Sequence, residues 1–146
     1  MLDKIIEVSG VEYSEIIHRM NNLSPHLFPP LRDKHLSEGF WWLILHRDKP
    51  EAFAGMVPMV PFHTPDHGIG YLKRCWVSSE YRGRGWQKLL LEERERKARD
   101  LGWKMLVAEC GSENHASSSN FLRCGYVETL PEQIWATNSR YFVKVL

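Results

Sequence analysis

The chain has 146 residues, of which 43% are hydrophobic and 25% are charged, a balance typical of one soluble globular domain. Its formal net charge of +1 at pH 7 provides no general attraction toward nucleic acid or an anionic membrane surface. The sequence has no apolar run long enough to span a bilayer and no N-terminal signal-peptide pattern. We therefore expect a single domain over residues 1–146, with no nucleic-acid or membrane partner.

Three cysteines stand at positions 75, 110 and 124 of the chain, without Cys-x-x-Cys spacing. An odd number of cysteines at such spacings is typical of reduced thiols and not of a disulfide framework. The cysteine pattern therefore indicates a cytoplasmic protein.

The first half of the chain is rich in predicted strands. Hydrophobic patterning predicts strands at residues 4–8, 40–46 and 52–60 and helices at residues 11–22 and 31–38. Ser9 is a candidate N-cap for the first helix. A turn at residues 48–50 would join the second and third strands as a hairpin. Pro58 and Pro61 predict a bulge or a strand end, because proline cannot donate to a ladder.

The second half alternates strand and helix. Strands are predicted at residues 70–77, 103–110, 126–129 and 140–146, with a helix at 114–123 and a long charged helix that Gly102 ends. On the long helix, Leu89, Leu90, Ala98 and Leu101 form the predicted buried stripe, and Glu92, Glu95, Arg96 and Arg99 are expected to face water. The element order predicts an α/β or α+β fold: a mixed sheet with helices on both faces.

A short glycine-rich turn separates the strand at 70–77 from the long helix. It reads Arg82-Gly83-Arg84-Gly85. Glycine lets the backbone turn tightly and approach a ligand closely. The first turn of the following helix adds N–H groups without helical partners and the positive end of the helix dipole. Together these features predict an anion cradle, with phosphate as the expected ligand.

Two segments of this half match, in order, the two motifs of one family. Arg82, Gly85 and Gln87 take the positions of an Arg/Gln-x-x-Gly-x-Gly/Ala motif, although Gln87 replaces a small residue. The second motif, Asn-x-x-Ala-x-x-x-Tyr-x-x-x-Gly-Phe, is matched through Asn114, Ser117, Phe121, Gly125 and Tyr126. Over residues 70–127 the chain resembles the GCN5-related N-acetyltransferase (GNAT) superfamily. This resemblance implies a mostly antiparallel sheet of six to seven strands, whose fourth and fifth strands part to admit a cofactor.

The resemblance also implies acetyl-coenzyme A as acyl donor and a primary amine as acceptor. Backbone groups of Cys75 and Val77 would pair with the pantetheine arm, and the Val77 N–H would serve as the catalytic oxyanion donor. Backbone N–H groups of residues 82–87 would hold the diphosphate. Asn114 would bond the pantetheine, cap the following helix, or do both. The implied cofactor-binding set is Cys75, Trp76, Val77, Arg82, Gly83, Arg84, Gly85, Trp86, Gln87, Lys88, Asn114, Ser117 and Phe121.

The acid-base groups follow the family pattern less closely. Glu109 resembles the base in the Leu-Glu-Val run of ribosomal-protein alanine acetyltransferases, although a strand-end salt bridge would explain it equally well. Tyr71 stands where many members carry a glutamate on the fourth strand, and we include it among the candidate catalytic residues. Phe121 replaces the tyrosine that usually protonates the leaving thiolate. Tyr71, Tyr126, Ser118 or a water could take that role.

Acceptor specificity in this family comes from the first helix pair and the last two strands. Here these are residues 22–35, with His26, Phe28 and His35, and residues 130–140, with Trp135. Their aromatic, weakly charged character favours a small or apolar amine. His63 and His67 have metal-like spacing but no third ligand nearby in the sequence, so we expect no metal.

The resulting hypothesis is an N-acetyltransferase in which the amine attacks the thioester directly. The acceptor would be a small molecule or a peptide N-terminus. One alternative is a coenzyme A-binding module with little catalysis, because Phe121 and Tyr71 depart from the family pattern. Another is an acetyltransferase acting on a macromolecule such as charged transfer RNA, against which the missing basic face argues. An exposed final strand would permit a homodimer, which the sequence leaves undecided, as it does the acyl-chain length.

Overall fold

The computed structural model describes residues 3–25, 28–58 and 68–146. The strands are β1 (Asp3–Val8), β2 (Phe40–His46), β3 (Lys49–Val57), β4 (Ile69–Val77), β5 (Met105–Gly111), β6 (Val127–Thr129) and β7 (Ser139–Val145). The helices are α1 (Ser14–Asn21), α2 (Asp33–Glu38), α3 (Trp86–Asp100) and α4 (His115–Arg123). No helix in these described parts combines the length and apolarity that a membrane span requires.

The seven strands follow the order β1-β2-β3-β4-β5-β7-β6. The β1–β2, β2–β3, β5–β7 and β7–β6 pairs are antiparallel, and β4 pairs with β5 in parallel. The parallel register covers only Ile69–Tyr71 opposite Met105–Val107. The predicted mixed, mostly antiparallel sheet is therefore confirmed.

The chain clusters into two compact units. The first contains Met1–Val57 and Lys73–Leu91, and the second contains Pro58–Leu72 and Glu92–Leu146. Strand β4 and helix α3 each contribute residues to both units.

The core of the first unit is built from α1, α2 and the β2–β3 hairpin. Ile17, Trp41 and Phe53 are fully buried there, and the Trp41 and Phe53 rings stack at 6.4 Å. The hairpin turn lies at Arg47 and Asp48, whose φ values of 50° and 64° are those of a tight two-residue turn. The turn therefore precedes the predicted one at residues 48–50, and β3 begins earlier than predicted.

Prolines set the limits of β3. Pro50 lies opposite Leu45, where the register shifts and the ladder tolerates a residue that cannot donate. The strand ends at Val57, directly before Pro58. Pro61, also expected to interrupt pairing, lies outside the described residues.

Helix α1 begins later than its sequence pattern indicated. The Ser9 hydroxyl accepts a hydrogen bond from the Glu12 N–H at 3.2 Å, but the residues that follow form turns before the helix starts at Ser14. Ser9 therefore stabilises a turn that leads into the helix and does not cap the helix itself.

The second unit holds β5, β7 and β6 against the C-terminal part of α3. Leu106, Ala108 and Phe142 are fully buried in it. Strand β7 pairs with β5 on one side and β6 on the other, so the final strand is not an exposed edge. The β6 pairing covers Tyr141, Phe142 and Val143, where both sides of β7 carry ladder hydrogen bonds and offer no edge to a second copy. The homodimer itself stays a prediction.

Three residues of the long predicted helix were assigned to the wrong face. Leu89 and Leu101, expected in the buried stripe, are 42% and 41% exposed, because they lie at the two ends of the helix. Glu95 is buried and does not face water, with its side chain 8% exposed. It accepts hydrogen bonds from the Tyr126 hydroxyl at 2.9 Å and from Lys144 Nζ at 3.0 Å. A buried carboxylate needs such partners, and both come from distant parts of the chain that helical periodicity cannot reveal.

Candidate functional site

The glycine-rich turn of the first unit has the backbone geometry of an anion cradle. After β4, a single 3-10 turn at Ser79–Tyr81 leads to Gly83 and Gly85, which have φ values of 80° and 84°. These values lie in the left-handed region that strains other residues. A Cβ added to either glycine would meet no atom within 4 Å. The glycines are therefore required by the backbone dihedral angles, and the surface beside them is open to a ligand.

Helix α3 begins directly after this turn. Its first helical hydrogen bond runs from the Leu89 N–H to the Gly85 carbonyl at 3.1 Å. The N–H groups of residues 86–88 therefore precede the helical ladder, at the positive end of the dipole of a 15-residue helix. The predicted order of strand, turn and helix is present.

Side chains around the turn stabilise its shape. Arg82 Nε donates to the Val77 carbonyl at 3.0 Å and ties the turn to the end of β4. The Tyr81 ring stacks on the buried Trp86 ring at 5.0 Å, and the Arg84 guanidinium lies 4.8 Å from the Tyr81 ring. Because the Trp86 side chain is buried, its contribution to a ligand would come from the backbone. Gln87 is half-buried, and Lys88 is exposed.

Strand β4 contains a left-handed residue that sequence reasoning missed. Arg74 has a φ of 74°, an uncommon value for a non-glycine residue within a strand. Its Nε donates to Asn21 Oδ1 at 2.9 Å and its Nη2 donates to the Pro29 carbonyl at 2.9 Å. Asn21, fully buried, also donates to the Pro29 carbonyl at 3.1 Å. No local signal marks Arg74, because its partners lie far away in the sequence.

The predicted pantetheine-binding residues follow this position. Cys75 is half-buried, and the side chains of Trp76 and Val77 are buried. Trp76 packs into the core of the first unit. Only backbone groups of Trp76 and Val77 could therefore face a ligand, as the prediction for Val77 requires.

The proposed acceptor segment is more positively charged than its composition suggested. Burial and the nearby cations Lys73, Arg74, Arg32 and Lys34 lower the pKa of His35 to about 4. Two of these cations come from β4, which explains why segment 22–35 alone appeared weakly charged. His26, the other histidine of the segment, lies outside the described residues, as do His63 and His67.

A nearby aromatic contact belongs to the same segment. The Arg74 guanidinium lies 5.2 Å from the Phe28 ring, which packs edge-on against Phe53 at 6.4 Å. Phe28 therefore connects the segment to the core of the first unit.

In the second unit, the candidate base is held by two hydrogen-bond donors. The Tyr71 hydroxyl donates to Glu109 Oε1 at 2.6 Å, and Trp135 Nε1 donates to the same oxygen at 3.0 Å. The structure thus brings together a predicted base, a predicted catalytic tyrosine and a predicted specificity residue. The predicted alternative, a strand-end salt bridge, is not what holds Glu109 among the described residues. Its partners are neutral.

The second pantetheine candidate, Asn114, caps α4. Its Oδ1 accepts from the Ser117 N–H at 3.2 Å, so a ligand would be bound through its amide nitrogen. Ser118 is buried and donates to the His115 carbonyl at 3.2 Å. That internal bond makes Ser118 a poor choice as proton donor.

Phe121 belongs to an aromatic cluster. Its ring lies 5.3 Å from that of Tyr126 and 5.2 Å from that of Phe142. Burial and the neighbouring Glu95 carboxylate raise the pKa of Tyr126, whose hydroxyl donates to Glu95. Tyr126 is therefore unsuited to protonating a leaving group, whereas the Tyr71 hydroxyl contacts the candidate base.

The family of the chain follows from sequence comparison. The acetyltransferase (GNAT) family model matches residues 11–126. The chain belongs to the GNAT acetyltransferase family. The match includes the glycine turn, Glu109 and Asn114. No curated protein matches the chain significantly.

Solved structures of GNAT proteins share the fold. A GNAT-family acetyltransferase from Staphylococcus aureus is 18% identical, with 98% of each chain covered and a TM-score of 0.76. One from Elizabethkingia anophelis, solved with acetyl-CoA bound, is 17% identical, with 99% of each chain covered and a TM-score of 0.77. Ribosomal-protein-alanine N-acetyltransferase from Brucella melitensis is 18% identical, with 98% of this chain and 99% of that chain covered and a TM-score of 0.74.

Proposed function

We propose that this GNAT protein is a cytoplasmic N-acetyltransferase that transfers an acetyl group from acetyl-CoA to a primary amine. The observation that carries the proposal is the left-handed glycine turn at the start of α3. The Elizabethkingia relative, solved with acetyl-CoA bound, supports the choice of acyl donor. The acceptor in this proposal is a small molecule or a peptide N-terminus.

The glycine turn fits the diphosphate of acetyl-CoA. Left-handed residues such as Gly83 and Gly85 are typical of nests, in which successive N–H groups face one side and bind an anion. The open surface at both glycines leaves room for a phosphate group. Arg82, Arg84 and Lys88 would add positive charge, while Trp86 and Gln87 would contribute backbone N–H groups.

The remaining cofactor contacts in the proposal use the backbone and amides. Cys75, Trp76 and Val77 would pair with the pantetheine arm through backbone groups. The Asn114 amide would donate to the same arm, with Ser117 and Phe121 beside it on α4. Bound acetyl-CoA would supply an activated thioester. The Val77 N–H would donate to the acyl oxygen as negative charge develops there.

Glu109 is the proposed general base. An acceptor ammonium must lose a proton before its nitrogen can attack, and a carboxylate can take that proton directly or through water. Tyr71 donates to Glu109 and is thus positioned to relay a proton. A thiolate whose thiol has a pKa of ~8.5 leaves with little assistance, so Phe121 in place of a tyrosine is compatible with turnover.

The alternative is a coenzyme A-binding protein with little catalysis. Its support is that Phe121, packed between Tyr126 and Phe142, has no proton to give. The two functions share the glycine turn and differ only in the role of Glu109.

Calorimetric titration with acetyl-CoA tests the proposal, with a matched pair of glycine variants. Gly85 and Gly102 both have left-handed φ values, of 84° and 79°, and both have open surroundings. Alanine at either position costs about 1–2 kcal/mol of backbone strain. We expect Gly85→Ala to weaken acetyl-CoA binding by about tenfold or more, and Gly102→Ala to lose stability while keeping the parent affinity.

A parent protein that does not bind acetyl-CoA would refute the proposal. Equal loss of affinity in both variants would show that the turn is not the binding site. If binding is found, a screen of primary amines separates the two candidate functions. Turnover with any amine supports the transferase, and binding without turnover supports the alternative.

A further inference from the structure

We propose that Trp135 is a positioning residue for Glu109. The inference rests on the proposed role of Glu109 as base. Trp135 lies in the segment between β6 and β7, which the sequence linked to acceptor selection and not to catalysis. Through its indole N–H, this segment also orients the group that accepts the proton of the amine.

The hydrogen bonds to Glu109 support this role. Tyr71 Oη and Trp135 Nε1 reach the carboxylate from two different parts of the second unit, at 2.6 and 3.0 Å. Among the described residues, both donors end on Oε1. Two donors on one oxygen restrict rotation of the carboxylate and leave Oε2 as the oxygen for an incoming ammonium. A base fixed in this way needs no reorientation when the acceptor binds.

Trp135 is itself held in place by aromatic packing. Its ring meets Tyr71 edge-on, with centroids 6.1 Å apart and an interplanar angle of 83°. It meets Tyr141 in the same manner, at 4.8 Å and 74°. Edge-to-face contacts of this kind define the orientation of a ring as well as its position. The indole N–H is therefore directed by its neighbours and is not a mobile surface group.

A third contact fixes the backbone next to Trp135. The Tyr141 hydroxyl donates to the Ala136 carbonyl at 2.5 Å and accepts from the Ala136 N–H at 3.2 Å. Leu130 and Ile134 of the same segment are 77% and 57% exposed. The segment is therefore anchored at Trp135 and Ala136, while its neighbours face solvent.

The loss of one donor can be followed through the pH dependence of the reaction. Hydrogen bonds to a carboxylate stabilise its ionised form, so removing one donor makes protonation easier. Other groups around this site include Cys110, whose thiol pKa is raised by burial, and the Arg140–Glu128 ion pair at 2.7 Å. None of these would change when the Trp135 indole is replaced by a phenyl ring.

The first experiment observes the hydrogen bond without using activity. The indole N–H resonance of Trp135 is assigned by its loss in Trp135→Phe. Glu109→Gln replaces the carboxyl acceptor of the indole N–H with an amide, and we expect a large shift of that resonance. Glu113→Gln, which changes a solvent-exposed carboxylate nearby in sequence, is the matched control and should cause none. An indole resonance that does not shift in Glu109→Gln would overturn the proposal.

The second experiment compares pH profiles of kcat/KM. Trp135→Phe keeps an aromatic ring and removes the donor, so we expect the acidic limb to move to higher pH. Tyr141→Phe, which releases Ala136, should give a smaller move in the same direction. Tyr126→Phe removes a hydroxyl that binds Glu95 and should leave the midpoint unchanged. An unmoved acidic limb in Trp135→Phe would overturn the positioning role.

The two experiments separate the inference from the proposed function. If the Trp135 resonance shifts in Glu109→Gln but the protein acetylates no amine, the transferase proposal is refuted and the hydrogen bond between Trp135 and Glu109 is supported. If the protein acetylates an amine but the Trp135 resonance does not shift in Glu109→Gln, the transferase proposal is supported and the positioning role of Trp135 is refuted.

Discussion

The glycine turn of the first unit and the Glu109 cluster of the second unit are built in opposite ways. The turn is made from backbone, since its essential features are the φ values of Gly83 and Gly85 and the start of α3. The cluster is made from side chains, since three residues from separate parts of the chain meet at one carboxylate oxygen.

This difference determines how each region responds to mutation. A backbone site tolerates exchange of most side chains but not of the residues that permit its dihedral angles. A side-chain site depends on individual atoms, so a conservative exchange of one group can abolish its chemistry. We therefore expect Gln87, in the first turn of α3, to leave the cradle intact, whereas the replacement of a tyrosine by Phe121 raises a question about catalysis.

The largest expected effect tests the side-chain region. Glu109→Gln preserves shape and removes the base, so kcat/KM should fall about 100-fold or more while the affinity for acetyl-CoA stays at the parent value. Glu113→Gln, whose parent side chain is exposed, should retain parent kinetics. Steady-state kinetics and calorimetry on the same preparations provide both values. A Glu109→Gln variant within threefold of the parent would show that the carboxylate is not the base.

The next prediction addresses the side chains that hold Arg74 of β4, the strand that leads into the glycine turn. Asn21 is fully buried and bonds both Arg74 and the Pro29 carbonyl. Asn21→Ala leaves these partners without their amide, so we expect a loss of about 2 kcal/mol in the free energy of unfolding. Asn22→Ala, at an exposed neighbouring position, should cost far less. Urea denaturation measures both, and equal stabilities would show that Arg74 is held in its left-handed conformation by other contacts.

Much of the fold could be predicted because its signals are local. The strand at Phe40–His46 was predicted to the residue, since it is a continuous apolar run between turn signals. The glycine turn and the cap at Asn114 were equally readable, because each depends on residues only a few positions apart. Local sequence patterns therefore predicted nearly all of the glycine turn and the elements that flank it.

The rest depends on contacts that no local pattern encodes. Tyr71 and Glu109 are 38 positions apart, and Trp135 lies 26 positions beyond Glu109. The sequence identified all three as candidates for separate roles, but nothing in their spacing indicated that they share hydrogen bonds. Glu95 was placed on the solvent face for the same reason, because its partners Tyr126 and Lys144 arrive from other elements.

A smaller effect is expected from acid, which acts on a buried histidine of the first unit. His35 of the first unit keeps a pKa of about 4, against 6.5 in an unfolded chain. Between these values the unfolded chain binds a proton at His35 that the folded chain does not, so lowering the pH through this window favours unfolding. His35→Gln removes that term, and we expect its melting temperature to fall by about 2 °C less than that of the parent between pH 6.5 and 4.5.

A second histidine, His46, provides the control for this prediction. His46 Nδ1 lies 2.6 Å from Asp3 Oδ1, whereas His35 is surrounded by cations. His46→Gln should therefore fail to reproduce the protection against acid. Thermal melts monitored by circular dichroism across this pH range measure the effect. Parent and His35→Gln curves that fall in parallel would show that His35 is solvated well enough to titrate normally.

The smallest expected effect returns to the glycine turn and asks whether it is truly a backbone site. Arg84 is exposed, and its guanidinium lies 4.8 Å from the Tyr81 ring. If N–H groups provide most of the binding, Arg84→Ala should weaken acetyl-CoA binding only about threefold, as expected for one exposed charge. The difference from the parent should shrink as salt rises, because salt screens an exposed charge but not hydrogen bonds from the backbone. Calorimetry at two ionic strengths measures both effects. A hundredfold loss that persists in high salt would make Arg84 the principal ligand and would remove the contrast between a backbone-made and a side-chain-made site.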